Sequence, residues 1–354
     1  MEAISLLIFK ANYAKSFLLA CLFLSLVPTI AVAQTYQLTS LTTDNNTSLR
    51  GLSIVSDSVA WVSGSNGSIG KTINGGKDWK WIIPAGFEKL DFRDIEAFDE
   101  NHAIVINAGA PAYILLTEDG GVSWKQTYKN LDSAIFLDGM DFWSAQKGII
   151  FGDPIHKKLQ LLSTQDAGRT WKDISSNLPM ETADGEAGFA ASGSSIKAMA
   201  GGKVWIVTGG LKSSIYSSDD YGSIWKKADC PIIQGKNSTG AFSIDFYDGY
   251  KGIVVGGDYT KDKESVNNVL LTDDGGKSWR RPSRPVSGYR SGVIWFDEKN
   301  CIATGTSGTD VSRDGGKNWY TISEDSFNVV KRAKSGKVIM LAGNKGVIYT
   351  LTTN

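Results

Sequence analysis

A short phrase that ends in tryptophan occurs six times in the 354-residue sequence. In each copy a Ser or Thr comes first, an Asp or Asn follows two residues later, and Gly and Trp stand two and five residues beyond that. The copies are residues 72–79, 117–124, 164–171, 218–225, 272–279 and 312–319. Their tryptophans are 45, 47, 54, 54 and 40 residues apart. A recurring period of this length is typical of stacked or radially arranged units, so the sequence predicts a repeat protein.

The phrase itself predicts a tight turn between two β-strands. A short polar side chain can accept hydrogen bonds from the backbone just ahead of it, and Gly adopts positive φ without steric cost. Alternating apolar runs precede the phrase, as at residues 113–116 and 269–271, and the tryptophan opens the next strand. We expect a purely structural role for the Asp or Asn of each copy: Asn74, Asp119, Asp166, Asp220, Asp274 and Asp314.

Each repeat contains four strand-like segments, which in the first repeat cover residues 50–55, 59–63, 68–73 and 79–83. Four-stranded units of about 45 residues with Gly-rich turns are typical of β-propeller blades. A glycine closes the second segment of seven units: Gly64, Gly109, Gly152, Gly209, Gly257, Gly305 and Gly343. We therefore predict an all-β, seven-bladed β-propeller with four-stranded blades.

The seventh unit lacks a copy of the phrase, although residues 343–350 align without gaps on residues 64–71. A three-stranded blade would leave an unpaired sheet edge, which proteins seldom leave open. The alternating segment 35–41 precedes the first blade and can supply the fourth strand. We expect this N-terminal strand to close the ring. An open solenoid, which would need polar caps at both ends, is the alternative.

Residues 1–33 have the features of a secretory signal peptide. Lys10 and Lys15 precede an apolar stretch over residues 17–27, and Ala31 and Ala33 provide a small-x-small cleavage site. Cleavage after Ala33 would leave residues 34–354 as a single propeller domain in a secreted or periplasmic location. A lipoprotein anchored through Cys21 is the alternative. We expect no transmembrane segment, because the apolar run is too short to span a bilayer.

Charge and composition narrow the possible partners. Without Lys10, Lys15 and Glu2, the 37 basic and 37 acidic residues become 35 and 36, so no basic excess favours nucleic acid or an anionic membrane. Cys230 and Cys301 remain, and they could pair or serve as small core residues. With only two histidines, a zinc site is not indicated. We expect a monomer without metal or cofactor.

The geometry of a propeller predicts which face recognises a ligand. The repeated phrases join third to fourth strands, and so lie opposite the connections that lead into the innermost strands. Aligning the repeats by these inner strands places Arg50, Arg93 and Arg290 at one ring position near the channel. Tyr259 and Tyr289 are expected on the same face. Converging guanidinium groups bind a carboxylate or phosphate bidentately, so we predict a ligand site from these five residues.

Two other interpretations of this face stay open. The arginines could form a structural charge ring with nearby carboxylates. Alternatively, the carboxylates could be catalytic, because glycoside hydrolysis needs two of them across a cleft. The candidate catalytic residues are Asp138, Asp153, Glu186 and Asp258. His102 and His156 occur in an ordinary strand and a hairpin, so a Ser-His-Asp triad is not indicated.

The repeated phrase resembles the Asp-box, also called the BNR or sialidase-type repeat, which occurs in both enzymes and binding proteins. Sialidases hold a substrate carboxylate with three arginines, but Arg50-Gly51-Leu52 stands where their Arg-Ile-Pro motif would be. Residues 34–354 are more similar to the photosystem II stability/assembly factor family and its non-photosynthetic bacterial relatives. Residues 61–69 and the arginine-bearing inner strands carry this resemblance, whereas residues 152–154, 188–193 and 257–259 depart from the family pattern.

That resemblance implies a secreted or periplasmic binding propeller that helps assembly. We expect its channel mouth to recognise an acidic group of a protein partner or glycan. A glycosidase that uses carboxylates on the same face is the alternative, so the sequence leaves open whether the protein is an enzyme.

Overall fold

The computed structural model describes residues 36–41 and 43–353, of which Tyr36–Thr352 form one compact unit. The predicted signal peptide and the alternative lipid site at Cys21 lie outside the described residues. Within those residues, no helix has both the length and the apolar character that crossing a membrane requires.

The described chain consists almost entirely of short antiparallel strands. Those of the first half are β1 (Tyr36–Leu41), β2 (Leu49–Ile54), β3 (Ala60–Gly64), β4 (Ile69–Thr72), β5 (Lys80–Ile82), β6 (Phe92–Ala97), β7 (Ala103–Asn107), β8 (Ala112–Thr117), β9 (Lys125–Asn130), β10 (Leu137–Phe142), β11 (Gly148–Ile155), β12 (Lys158–Thr164) and β13 (Lys172–Asp173). Those of the second half are β14 (Glu186–Ala187), β15 (Ile196–Met199), β16 (Lys203–Val207), β17 (Gly209–Gly210), β18 (Ser214–Ser218), β19 (Lys226–Asp229), β20 (Thr239–Phe246), β21 (Gly252–Asp258), β22 (Val269–Thr272), β23 (Gly292–Trp295), β24 (Cys301–Gly305), β25 (Gly308–Ser312), β26 (Trp319–Ser323), β27 (Val329–Arg332), β28 (Ile339–Ala342) and β29 (Ile348–Thr353). Three short 3-10 helices are Ser175–Asn177, Tyr259–Lys261 and Asn344–Gly346.

The strands form seven blades in a ring, so the predicted all-β propeller is confirmed. Blades 1 to 3 are β2–β5, β6–β9 and β10–β13; blade 4 is β15, β16, β18 and β19; blade 6 is β23–β26. In blade 5, β20–β22 are followed by a single bridge between Leu271 and Arg280 at the outer edge, and β14 and β17 extend the inner side. Each inner strand contacts the inner strands of both neighbouring blades, including β2 with β27.

The N-terminal strand completes the seventh blade, which confirms the predicted closure and excludes an open solenoid. β1 is hydrogen-bonded to β29 in a sheet of order β1-β29-β28-β27. The Tyr36 hydroxyl donates to Asn300 Oδ1 at 3.0 Å, and Thr43 Oγ1 donates to the Gly346 carbonyl at 2.5 Å. These bonds tie the first strand to the last two blades.

The hydrophobic core is divided into layers between neighbouring blades. Leu52 of β2 and Val62 of β3, for example, pack against Val329 and Met340 of blade 7. Comparable clusters occupy the other blade interfaces. Cys230 and Cys301 belong to two different clusters, and both are buried free thiols. They are therefore core residues rather than a disulfide.

The six copies of the repeated phrase, called the repeated turns below, share one hydrogen-bond network. In blade 2, Thr117 Oγ1 donates to Asp119 Oδ1 at 2.9 Å and accepts from the Gly121 N–H at 2.9 Å. Asp119 Oδ1 also accepts from the Ser123 N–H at 2.9 Å. The same three bonds recur in the other five turns. The Asp or Asn side chain thus fixes the turn backbone.

These hydrogen bonds favour the ionised form of the turn aspartates. We therefore expect the stability of the fold to decrease at acidic pH, where these carboxylates become protonated. Hydrogen bonds from Ser123 lower the pKa of Asp119 to about 2. The pKa values of the other four turn aspartates are also lowered, although partial burial opposes the shift in Asp166 and Asp314. A folded-state pKa below the unfolded value of about 3.9 stabilises the fold above that pH. This contribution is lost as the pH falls through the folded values.

Replacing all five turn aspartates with asparagine should therefore flatten the fall in melting temperature between about pH 4 and pH 2. Asn74 shows that an amide suffices, since its Oδ1 accepts from Thr72 Oγ1 and from the Asp78 N–H, both at 3.0 Å. The control carries Asp44→Asn and Glu181→Gln at exposed positions outside the turns. Equal acid slopes for the five-site variant and the unmodified protein would contradict the prediction.

Candidate functional site

In four blades, a β-bulge near the start of the inner strand leaves one residue unpaired with the neighbouring strand. The strand register skips Arg50 in β2, Arg93 in β6, Asp138 in β10 and Phe242 in β20. Bulges of this kind re-aim side chains and are frequent next to functional sites. In the remaining blades, the register puts Ser194, Ser291 and Asn328 at the equivalent position. We call these seven positions the bulge ring.

A cavity of about 370 Å³, here called the mouth pocket, opens at this ring. Five of its lining residues belong to the bulge ring: Arg50, Arg93, Phe242, Ser291 and Asn328. The others are Phe189, Ala190, Ala191, Tyr259, Tyr289, Thr306 and Asn344. In blade 1, Leu49 pairs with Gly64 at the pocket end, whereas Thr72 of the repeated turn pairs with Ala60 at the opposite end. The pocket and the repeated turns therefore lie on opposite faces.

The mouth pocket is positively charged. Arg50 makes no ion pair in the part of the chain that the structure describes, and its guanidinium donates at 3.4 Å to the Ala191 carbonyl. Burial, and then the positive charge of Arg93, lower the pKa of Arg50. Arg93 is paired with Asp91 through Nε and Oδ2 at 2.8 Å. None of the described residues that line the pocket is acidic. An anion placed beside Arg50 would thus meet guanidinium N–H groups with unused donor capacity.

Aromatic rings form one wall of the mouth pocket. Phe189 stacks on Phe242 with ring centroids 3.8 Å apart and an angle of 11° between the ring planes. The edge of Tyr289 meets Phe242 at 4.8 Å, and Tyr259 lies 6.2 Å from it. Tyr259 is 50% exposed, so one aromatic surface is open to a ligand. This wall can pack against apolar or planar groups next to an anion.

Residues 189–194 are here called the crossing segment, and its first three residues line the mouth pocket. The segment leads into blade 4, yet the Ala191 and Ala190 carbonyls accept from Arg50 of blade 1 and Arg93 of blade 2. On the other side, Ser192 Oγ donates to the Ser291 carbonyl of blade 6 at 2.6 Å.

A glycine lets this segment pass close to blade 2. Gly193 has φ of +66°, and a Cβ atom there would collide with the carboxyl group of Asp94. Because the segment contacts blades on opposite sides of the ring, it crosses the central channel. Beyond it lies a second cavity of about 220 Å³ lined by paired charges such as Lys197 and Asp245, whose Nζ and Oδ1 are 2.9 Å apart.

The structure places Arg290 away from the mouth pocket. Gly292 pairs with Thr304 as Gly51 pairs with Ser63, so Ser291 and not Arg290 takes the ring position of Arg50. Arg290 is fully buried. Its Nε and Nη2 donate to Asp310 Oδ2 at 2.9 and 2.6 Å. The alignment of Arg290 with the other two arginines is thus off by one residue.

Glu186 and Asp258, two of the candidate catalytic carboxylates, are fully engaged in hydrogen bonds. Glu186 accepts from Thr208, Tyr216, the Ala183 N–H and Lys227. Burial acts to raise its pKa, but the hydrogen bonds outweigh burial and lower it. Asp258 accepts from Thr260 through Oγ1 at 2.6 Å, and its pKa is likewise lowered against the effect of burial. Both carboxylates stabilise local structure.

Asp138 and Asp153 form a different pair in blade 3. Asp138 is buried, and neither carboxyl oxygen has a hydrogen-bond partner among the described residues. Burial, reinforced by the charge of Asp153, raises the pKa of Asp138 well above its usual value. Asp153 accepts from the Gly188 N–H at 2.8 Å, and burial raises its pKa too. Neither residue lines the mouth pocket.

Sequence reasoning missed most of the aromatic and amide lining. Strand register aligns the bulge-ring residues Phe242, Ser291 and Asn328 with Arg50, but the residues that follow them, Ser243, Gly292 and Val329, share no common type that the sequence could have revealed. Residues 188–193 depart from the family pattern, but nothing in their composition indicates that they cross the channel.

Fold and site together define a seven-bladed β-propeller with an arginine- and aromatic-lined pocket at one end of its channel. No family model and no curated protein matches the chain. Among solved structures, the chain is similar to YCF48 bound to a D1 peptide, with 15% identity, a TM-score of 0.65, and coverage of 90% of this chain and 97% of the other. YCF48 from Cyanidioschyzon merolae gives 15% identity, a TM-score of 0.65, and coverage of 88% and 98%.

A glycoside hydrolase is also among the similar structures. The GH74 xyloglucanase from Xanthomonas campestris is 14% identical, with a TM-score of 0.61 over 89% of this chain and 53% of the enzyme. The chain thus spans about half the length of that enzyme. At such identities, these similarities show a common propeller fold.

Proposed function

We propose that the protein is a binding propeller whose mouth pocket receives an acidic group of a protein partner. The observation that carries this proposal is a pocket with two guanidinium groups and no acidic residue among its described lining. Arg50 has no ion-pair partner there, and burial, followed by the charge of Arg93, disfavours its protonated form. A carboxylate ligand would relieve that repulsion and accept charge-assisted hydrogen bonds.

A protein partner is favoured by the shape of the site and by the comparison. A cavity of about 370 Å³ with one aromatic wall can hold an acidic side chain together with its apolar neighbours. YCF48, whose structure was solved with a D1 peptide, has the same fold over nearly its whole length. A glycan with an acidic group could form the same hydrogen bonds with the arginines. Comparing the affinities for acidic peptides and for uronic-acid oligosaccharides distinguishes a protein partner from a glycan.

Glycoside hydrolysis has less support. The xyloglucanase comparison keeps it open, and Asp138 has the raised pKa that a general acid needs. However, Asp138 is 1% exposed, and none of the four candidate carboxylates lines the mouth pocket. We therefore propose binding without catalysis. Release of chromophore from acidic aryl glycosides, lost on Asp138→Asn substitution, would establish the enzymatic alternative instead.

The repeated turns and the N-terminal 33 residues bear on the class and the location of the protein. The network of the repeated turns supports their classification as Asp-boxes, since one Ser or Thr and one Asp or Asn organise every copy. The basic and apolar pattern of residues 1–33 supports a secreted or periplasmic protein that acts on partners in the same compartment.

Replacing Arg50 with Gln should weaken binding of acidic peptides by about 10- to 100-fold, because one charge-assisted hydrogen-bond pair contributes roughly 1.5–3 kcal/mol. Binding can be measured by fluorescence anisotropy with peptides that contain a single Asp or Glu, and in parallel with uronic-acid oligosaccharides. The matched control is Arg284→Gln, an exposed arginine stacked on Tyr320 outside the pocket. Equal affinities for both variants would remove the proposed role of Arg50.

A further inference from the structure

The mouth pocket continues outward over blade 6. A second depression of about 320 Å³, here called the outer groove, is lined by Asp262, Lys263, Ser287, Thr306, Ser307, Thr321 and Glu324. Thr306 lines both cavities. Its side chain donates from Oγ1 to Asp262 Oδ2 at 2.8 Å, so it is held at the boundary. The mouth pocket and the outer groove are therefore adjacent, with Thr306 at their boundary.

The two compartments have opposite charge. The mouth pocket presents Arg50 and Arg93 and no carboxylate among its described lining residues. The outer groove presents Asp262 and Glu324 against a single ammonium group, that of Lys263. Glu324 is exposed and makes no ion pair within the described chain, so its charge is available to a partner. Charge complementarity of this kind fixes the direction and register of a bound chain.

The floor of the outer groove is rigid because the buried pair Arg290–Asp310 holds it. Arg290 Nη2 donates to Ser287 Oγ at 2.6 Å, and Nη1 donates to Ser307 Oγ at 2.9 Å. Thr321 Oγ1 donates to Asp310 Oδ1 at 2.8 Å. Three of the groove's lining hydroxyls are thus anchored to one ion pair. A preformed surface loses less conformational entropy when a ligand binds.

We infer that the mouth pocket and the outer groove form one elongated site for an extended segment of a partner protein, with an acidic residue at Arg50 and a basic residue at Glu324. This inference rests on the proposed function and adds the direction in which the partner segment is bound. An extended chain advances roughly 3.3 Å per residue. The fixed separation of Arg50 and Glu324 therefore favours one spacing between the acidic and the basic residue of the bound segment. A compact acidic metabolite would fill the mouth pocket alone and would be indifferent to the outer groove.

The test uses the full-length chain and peptides of about ten residues, with one Asp at a fixed position and one Lys moved along an otherwise uncharged sequence. We expect affinity to peak at one spacing. Glu324→Lys should lower the affinity for the best Lys peptide by about threefold to tenfold and raise that for the matching Glu peptide. The matched control is Glu100→Lys, an exposed charge reversal away from the groove, which should leave both affinities unchanged.

The outcomes separate this inference from the proposed function. Weaker binding of the acidic peptides by Arg50→Gln, together with an inverted Lys/Glu preference in Glu324→Lys, supports both. If Arg50→Gln weakens binding but neither the Lys spacing nor Glu324→Lys matters, the elongated site is refuted and the acid-binding pocket stands. If Arg50→Gln binds every peptide as the unmodified protein does, or if no peptide binds, both are refuted.

Discussion

A chain that begins at residue 43 is expected to melt about 10 °C below a chain that begins at residue 34, because it lacks the strand that completes blade 7. Tyr36, Leu38 and Leu41 of β1 are partly buried against the core clusters of blades 6, 7 and 1. Partial burial of three large apolar side chains contributes roughly 4 kcal/mol. For a domain of this size, such a loss lowers the melting temperature by about 2–4 °C per kcal/mol.

The same deletion uncovers β29, whose backbone groups would then form an open sheet edge. We therefore also expect aggregation of the shortened chain on heating. A synthetic peptide with the sequence of residues 35–41 should raise its melting temperature in a concentration-dependent way, since the peptide binds the folded state. The control replaces the exposed residues Gln37, Thr39 and Ser40 with Ala in the longer chain and should melt normally. Identical melting temperatures for both chain lengths would contradict ring closure by β1.

The fold was predictable because one local signal recurs in six of the seven blades. The repeated turn requires three residue types at fixed spacing: Ser or Thr, Asp or Asn, and Gly. Its hydrogen-bond network explains each of these requirements. The predicted segments of blade 1 differ from β2–β5 by one residue at each end. Ring closure followed from the same repeat, since the missing seventh turn indicated a strand supplied from elsewhere.

The site was predictable only in part, because a bulge changes which residue of an inner strand reaches the channel. Arg50 and Arg93 were identified since a bulge exposes both. Arg290 was misplaced by one position, because the tripeptide Tyr289-Arg290-Ser291 resembles the arginine-bearing strands of the first two blades. The strand register gives the correct alignment, because Gly51 pairs with Ser63 as Gly292 pairs with Thr304, which makes Ser291 the equivalent of Arg50.

The crossing segment lay beyond sequence reasoning for a different reason. Its contacts join residues about 100 positions apart or more, such as Ala191 with Arg50 and Ser192 with Ser291. Short-range periodicity carries no information on such contacts. Once the segment is in place, it lines part of the mouth pocket and brings Phe189 against Phe242. The pocket is therefore a product of the ring and of one irregular loop together.

Replacing Arg290 with Met is expected to lower the free energy of unfolding by about 3–5 kcal/mol, the usual cost of breaking a buried ion pair on one side. The guanidinium is fully buried and donates to Asp310, Ser287, Ser307 and the Tyr289 carbonyl. Its removal leaves the Asp310 carboxylate without its cationic partner in the interior. Urea unfolding followed by tryptophan fluorescence measures the loss.

The double variant Arg290→Met with Asp310→Leu separates charge from packing. Because it removes both charges, it should be more stable than Arg290→Met alone by at least about 1 kcal/mol. Replacing both partners of a buried ion pair with apolar residues is often neutral or stabilising. It should nevertheless bind peptides less tightly than the unmodified protein, since Ser287 and Ser307 lose the donors that position them. Arg284→Gln is again the control, because that arginine is exposed. A double variant as unstable as the single one would mean that Arg290 acts through its volume and not through its charge.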